Sequence, residues 1–335
     1  MQTAVACTRL LSRAFLNGLY NRNASQTASG LPSRNDSGQS GNSGDSDSKS
    51  SEQCSSSESR DTSLFQKPRF VSAISGIPKN ISMRRLNPFQ FGDDSCFVSY
   101  HSSADVLGVA DGVGGWRQYG VDPGTFSDAL MRACERVVTA GAFRPHLPAQ
   151  LLARAYSELM ESKEPIVGSS TACLVVLSRE TGCLHAANIG DSGFLLVRDG
   201  RVLLRSEEQQ HYFNTPYQLS NAPPGQDGQV LSDRPEAART SEMPVQDGDV
   251  IMLGTDGVFD NVPDAVLVRE LSGLHGCADR ERLRAAANAI ALMARRLAFD
   301  GSYMSPFAKN ALTHGIDALG GKPDDITVIL ATVIS

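Results

Sequence analysis

Three apolar runs in this chain end directly in aspartate. Val106-Leu107-Gly108-Val109-Ala110 leads into Asp111-Gly112, Ala186-Ala187-Asn188-Ile189-Gly190 into Asp191-Ser192, and Val250-Ile251-Met252-Leu253-Gly254-Thr255 into Asp256-Gly257. A fourth run is reversed, with Asp324-Asp325 immediately before Ile326-Thr327-Val328-Ile329-Leu330. Short apolar runs bounded by turn residues read as buried strands. If such strands pair antiparallel, opposite chain directions bring all four acids to one sheet edge. Asp93-Asp94 precedes another apolar strand and can join them. Carboxylates gathered at one rim repel each other, and cations relieve that repulsion. An all-oxygen ligand set selects Mg²⁺ or Mn²⁺, with Ca²⁺ disfavoured in a compact site that keeps several waters. Two such ions can lower the pKa of a shared water and hold a phosphoryl oxygen.

Asp-Gly is first of all a turn dipeptide, and the chain has six of them. Asp199-Gly200 sits between Leu195-Leu196-Val197-Arg198 and Arg201-Val202-Leu203-Leu204, a two-residue hairpin signal. Asp227-Gly228 and Asp247-Gly248 also read as turns. The metal reading therefore rests on the whole set of acids and on no single dipeptide.

The remaining composition narrows the choice. A net charge of -6 argues against non-specific nucleic-acid binding, which needs a cationic surface. No uninterrupted apolar stretch is long enough for a transmembrane helix. The seven cysteines include no Cys-x-x-Cys pair, and the six histidines are scattered, which points to free thiols and away from zinc. No EF-hand spacing supports a calcium-binding protein.

The chain divides by composition into three parts. Residues 1–35 contain no Asp or Glu but carry Arg9, Arg13, Arg22 and Arg34, and Leu11, Phe15 and Leu19 share one helical face. An acid-free, Arg- and Ser-containing amphipathic start is the mark of a mitochondrial targeting segment. An unstructured N-terminus and a surface-lying membrane anchor stay open beside it. Residues 36–66 form a Ser-rich linker with little to bury, and are expected to be disordered. Residues 67–335 are globular in composition and are expected to form one domain. Strands are predicted at Cys96–Tyr100, Val106–Ala110, Thr171–Leu177, Leu184–Ile189, Phe194–Val197, Val202–Leu204, Val250–Leu253 and Ile326–Val333. Helical spacing groups Leu283, Ala286, Ala287, Ile290, Met293, Ala294 and Leu297 on one face. The same holds for Phe126, Leu130, Cys134 and Val137, and for Leu151, Leu152, Ala155 and Leu159. Hairpin-linked strands with helices clustered apart predict an α+β fold.

Five ordered motifs then carry a family resemblance. They are Val109-Ala110-Asp111-Gly112-Val113-Gly114-Gly115, Gly168-Ser169-Ser170-Thr171-Ala172-Cys173, Ile189-Gly190-Asp191-Ser192, Gly254-Thr255-Asp256-Gly257-Val258-Phe259-Asp260 and Asp324-Asp325-Ile326-Thr327-Val328. Together they resemble the metal-dependent serine/threonine phosphatases of the protein phosphatase 2C family, and the Asp-Gly-Val-Gly-Gly-Trp form is similar to its mitochondrial branch. The resemblance implies a four-layer α-β-β-α sandwich of two antiparallel sheets with a binuclear Mn²⁺ or Mg²⁺ site between them. It implies that Asp111 bridges both ions, that the Gly112 carbonyl binds one, and that Asp256 and Asp324 bind the other. Asp93 stands where the family usually has Glu. Asp191, with Asp256 and Asp260, matches the residues that can hold a weaker third ion. Gly168-Ser169-Ser170-Thr171 and Asn261 read as structural. The implied reaction is hydrolysis of phosphoserine and phosphothreonine by a metal-bridged hydroxide, on phosphorylated mitochondrial proteins in the matrix. Peripheral membrane contact through the N-terminal segment and a monomeric state complete the expectation.

Four positions depart from the family pattern. Val113 follows Asp-Gly where many members carry His, proposed as general acid. Phe89 stands where a phosphate-binding Arg is expected, with Arg84, Arg85 and Arg117 as candidate replacements. Gly193 stands where many relatives have Arg, and Asp93 replaces Glu. The missing His and Arg motivate a second reading: a catalytically weak adaptor that keeps the fold and binds mitochondrial partners. The retained metal acids oppose it.

Overall fold

The computed structural model describes residues 67–80, 87–225 and 230–335. The expected segments 1–35 and 36–66 lie outside the described residues. So does the Asp227-Gly228 turn.

Four strands come first, β1 (Arg69–Ile77), β2 (Gln90–Phe91), β3 (Asp94–Tyr100) and β4 (Ala104–Asp111). Two helices follow, α1 (Pro123–Thr139) and α2 (Pro148–Met160). The middle of the chain holds β5 (Gly168–Ser170), β6 (Ala172–Ser178), β7 (Cys183–Ile189), β8 (Gly193–Arg198) and β9 (Arg201–Arg205). Short strands β10 (Gln210–Tyr212), β11 (Thr215–Pro216) and β12 (Leu219–Asn221) precede β13 (Arg239–Pro244) and β14 (Val250–Gly254). Helices α3 (Asp256–Phe259), α4 (Asp264–Ser272), α5 (Arg280–Ala298) and α6 (Pro306–Thr313) lead to β15 (Ile326–Ile334).

Helix starts follow their caps. Asp122 accepts from the Gly124 amide with Pro123 at the first helical position. Asp279 accepts from the amides of Glu281 and Arg282 at the start of α5, and Ser305 from that of Ala308 at the start of α6.

The main sheets have five and six strands, ordered β1-β15-β14-β8-β9 and β13-β7-β6-β4-β3-β2, with antiparallel neighbours throughout. Alternate side chains along a strand point to opposite faces, and the cores divide accordingly. Leu107, Val109, Cys173 and Val175 of one sheet meet Leu196, Ile251, Ile329 and Ala331 of the other between the sheets. Val106, Leu174 and Val176 face outward and pack on Phe126, Leu130 and Leu152 of α1 and α2. Val328, Leu330 and Met252 face the other way, onto Leu283, Ile290 and Ala294 of α5. The central strands are thus buried on both faces, which is why they read as continuous apolar runs although the sheets are antiparallel. The layers are helix, sheet, sheet, helix, as the resemblance implied.

The predicted strands are all present, within a residue or two, and the three predicted helical faces are buried or packed against the core. The Asp199-Gly200 turn joins β8 to β9 with both residues at positive φ, 50° and 71°. Several elements lie outside the expectation. β1 was not foreseen, because Ser72 and Ser75 interrupt its apolar pattern, yet it pairs with β15 along its whole length from Arg69↔Ile334 to Ile77↔Ile326. β13 is a polar edge strand, Arg-Thr-Ser-Glu-Met-Pro, and its sequence carries no burial signal. The short helices α4 and α6 also went unpredicted.

Replacing Leu107 by Ala tests the inter-sheet core. Leu107 is wholly buried, and such truncations cost about 2–5 kcal/mol. Urea unfolding of Leu107→Ala is expected to give a loss in that range, and a loss below about 1 kcal/mol would contradict the packing described.

Candidate metal centre

The acids reach one rim from two sheets, which corrects the expectation of a single sheet edge. Asp111 is the last residue of β4 and Asp191 follows β7, both in the six-stranded sheet. Asp93 stands just before β3 of that sheet. Asp256 opens α3 directly after β14, and Asp324 precedes β15, both belonging to the five-stranded sheet. One carboxylate oxygen from each of Asp111, Asp191 and Asp256 lies within 4.8 Å of the others. Asp324 faces the same group and adds to the charge felt by Asp111.

Backbone and side-chain bonds hold the acids from both sides. The Asp111 amide donates to Thr171 Oγ1 at 3.1 Å, while its carbonyl accepts from the Thr171 amide at 2.9 Å and Ser170 Oγ at 2.8 Å. Ser169 accepts from Trp116 Nε1 and donates to Gln218 Oε1, both at 2.6 Å. The Gly-Ser-Ser-Thr motif therefore acts on position, as read from the sequence, and Trp116 joins it. Asn261 donates to the carbonyls of Gly257 and Lys322 at 2.9 Å each and accepts from the Lys322 amide at 2.8 Å. It is also structural.

The glycines beside the acids permit close chain approach. A Cβ at Gly112 would collide with the Pro123 carbonyl, and one at Gly257 with the Asp325 carbonyl. Gly257 thus lets the segments carrying Asp256 and Asp324 touch.

Two further acids join the sheets beneath the rim. Asp94 is buried and accepts from Thr255 Oγ1 at 2.7 Å and Thr327 Oγ1 at 2.8 Å, both on the opposite sheet. Asp325 accepts from the Asp93 amide at 2.8 Å and the Lys79 amide at 2.5 Å.

The electrostatics are those of crowded carboxylates. Desolvation, then the charges of Asp256, Asp94, Asp324 and Asp191, pushes Asp111 well above the usual carboxylate range. Asp191 is pushed up by desolvation and Asp256, against the pull of Lys322. Desolvation is also the main cause of the rise at Asp93, at Asp324 and at Asp260, which reaches about 7. Buried Oδ1 atoms of Asp191 and Asp256 accept no hydrogen bond among the described residues. Buried polar atoms are normally satisfied. Orphaned, mutually repelling oxygens turned toward one point are the donor set a hard divalent cation requires, so these residues fit Mn²⁺ or Mg²⁺.

Two cations that sequence reasoning left unplaced border this centre. Arg117 Nη2 pairs with Asp93 Oδ1. Lys322 Nζ bonds Asp256 Oδ2 and Asp260 Oδ2 and lies 3.8 Å from Asp324 Oδ2. Burial works against the Lys322 charge, but Asp256, Asp260, Asp324 and Asp191 outweigh it and hold its pKa well above the usual lysine value. The only sequence signal for it was a lysine two residues before the paired acids. Arg84 and Arg85 lie outside the described residues.

Zinc spacing was absent from the sequence, yet strand pairing makes a second grouping. Cys183 and His185 on β7 meet Glu242 on β13, which pairs directly with His185. Glu242 is exposed there.

The family described as Protein phosphatase 2C matches residues 88–292, more than half of the chain. The chain belongs to this family, and so is a protein serine/threonine phosphatase by class. It is 54% identical over 280 residues to the protein phosphatase PTC7 homolog of Danio rerio, covering 83% of this chain and 92% of that protein. Identity to the PTC7 homolog of Homo sapiens is 57% over 243 residues, covering 72% and 80% respectively. Among solved structures, the photosystem II phosphatase PBCP superposes with a TM-score of 0.66 at 30% identity, over 79% of this chain and 98% of that one.

Metal ions bind the deprotonated carboxylates, so protons compete wherever a ligand's pKa is raised. With Asp111 and Asp191 held well above 3.8, Mn²⁺ affinity is expected to weaken on acidification while the pH is still well above that value. Titration calorimetry in buffers of different ionisation enthalpy will then register proton release. A pH-independent affinity with no proton release would contradict the electrostatics described.

Proposed function

We propose that this chain is a Mn²⁺- or Mg²⁺-dependent phosphatase acting on phosphoserine and phosphothreonine in mitochondrial proteins. The observation that carries the metal dependence is the convergence of Asp111, Asp191 and Asp256 with their orphaned oxygens. Asp111 would serve both ions, with the Gly112 carbonyl, Asp256 and Asp324 completing the ligands, and Asp93 acting from the edge. When bound, the ions supply Lewis acidity toward a phosphoryl oxygen and a water of lowered pKa.

The chain's own residues supply the rest. Thr171 and Ser170 fix the Asp111 backbone, so its carboxylate does not reorganise as charge develops on the phosphoryl group. Arg117 is held at the rim by Asp93 and keeps about half of its side chain in solvent. Its guanidinium can swing onto an incoming phosphate, which it would grip bidentately. Of the three arginines considered as replacements for the one absent at Phe89, Arg117 is the one that lies among the described residues. Val113 has no ionisable group, so the leaving hydroxyl must take its proton from water or from another residue.

Location rests on the acid-free, arginine-bearing residues 1–35, read as a transit peptide for the mitochondrial matrix, followed by the linker 36–66 and the catalytic domain 67–335. No helix among the described residues is long and apolar enough to cross a membrane. Phosphorylated mitochondrial proteins are the proposed partners, with membrane contact confined to the N-terminal segment, and the protein acts as a monomer.

Asp111→Asn is expected to abolish Mn²⁺-dependent phosphate release from a phosphothreonine peptide while leaving the far-ultraviolet circular dichroism unchanged. Near-normal turnover would remove Asp111 from the centre. A wild-type protein inert in excess Mn²⁺ would favour the adaptor reading. For location, residues 1–35 fused to a soluble reporter are expected to direct it into mitochondria, and a diffuse cytosolic reporter would count against import.

A further inference from the structure

Lys322 does not behave as a surface lysine. Its backbone is pinned on both sides by Asn261, a wholly buried residue. Its side chain is only 12% exposed. The ammonium bonds Asp256 Oδ2 and Asp260 Oδ2, the latter at 2.7 Å, and faces Asp324 Oδ2 at 3.8 Å. The Phe307 ring closes the other side, its centroid 5.5 Å from Nζ. The Phe307 amide donates to the Asp260 carbonyl at 3.0 Å, so ring and carboxylate are set by the same contact. A lysine has three N–H donors and no acceptor. Three carboxylate oxygens and an aromatic face meet that cation's needs.

The two oxygens of Asp256 are therefore divided. Oδ2 serves Lys322, while Oδ1 has no hydrogen-bond partner. Asp256 also reaches Asp111 and Asp191 within the 4.8 Å grouping. Asp260 lies wholly on the lysine's side, since Lys322 is its side-chain partner. A divalent ion needs carboxylate oxygens at about 2.0–2.6 Å. An ion placed between the Oδ2 atoms of Asp256 and Asp260 would meet the repulsion of an ammonium already in contact with both.

We propose that Lys322 is a resident cation of this centre, taking the place of a third divalent ion beside Asp256 and Asp260, so that the chain binds two ions and not three. This rests on the metal-centre reading above. The consequence is a division of labour among the acids. Asp111, Asp324 and Oδ1 of Asp256 serve exchangeable ions. Asp260 serves a cation that is part of the chain and never dissociates. Mn²⁺ depletion would then strip the two bound ions and leave the Asp256–Asp260 side neutralised.

The test is a count of ions. The full chain, stripped with chelator, is dialysed to equilibrium against excess Mn²⁺, and bound manganese is measured by elemental analysis. The wild type is expected to hold two ions per chain and Lys322→Met three, while the double variant Lys322→Met with Asp260→Asn returns to two. Asp260→Asn alone is expected to leave the count at two, and an ion lost in this variant overturns the inference even if Lys322→Met does not fold. Three ions on the wild type, with one lost in Asp260→Asn, would overturn the inference. So would two ions on a folded Lys322→Met. If the wild type binds no manganese at all, the metal-centre reading itself fails, an outcome distinct from a wrong count.

Discussion

Repulsion among carboxylates packed at the rim between two sheets is the constraint on which this structure turns. Asp111 and Asp191 come from one sheet and Asp256 and Asp324 from the other. Left alone, like charges at such spacing would drive the sheets apart at that rim. The chain answers beneath the surface. Asp94 reaches across from β3 to the hydroxyls of Thr255 and Thr327, at the ends of β14 and β15. Asp325 reaches the other way to the Asp93 amide, and also holds the Lys79 amide beside its own sheet. These bonds fix sheet against sheet within a few residues of the repelling acids. The apolar layer of Leu107, Leu196, Ile251 and Ile329 holds the remainder of the interface. Buried charge of this kind adds little net stability but demands one geometry. Here that geometry is also what the chemistry needs.

The central strands were legible because both faces are buried, giving apolar runs without interruption. The acids were legible because each closes or opens such a run. The edges were not. β1 carries Ser72 and Ser75 and is mostly half-buried, so its membership comes from pairing with β15 and not from its own pattern. β13 is polar because one side of it faces solvent. At the site, linear order showed which acids belonged together but not which sheet bore each. Nor could spacing distinguish the two members of an acid pair. Asp93 turns to Arg117 at the rim while Asp94 turns inward to two threonines. Strand alternation separates them, and only the register of β3 against β4, with Asp94 opposite Asp111, settles which is which.

The departures from the family pattern are physically unequal. Gly193 faces Gly254 across β8 and β14 and abuts Ser206, whose hydroxyl accepts from the Phe194 amide at 2.9 Å. A side chain at Gly193 would require the Ser206 hydroxyl to turn away from the Phe194 amide. Phe89 is different. It is exposed, and its backbone carbonyl accepts from the Cys96 amide, so the position is kept for its chain path while its side chain is free of the centre. Arginine at Phe89 and Arg117 paired to Asp93 are alternative ways to bring a guanidinium to one rim. In the second, Arg117 already stands at the rim, paired with Asp93. Under the proposed function a phosphoryl dianion, with more charge than one carboxylate, would compete for that guanidinium.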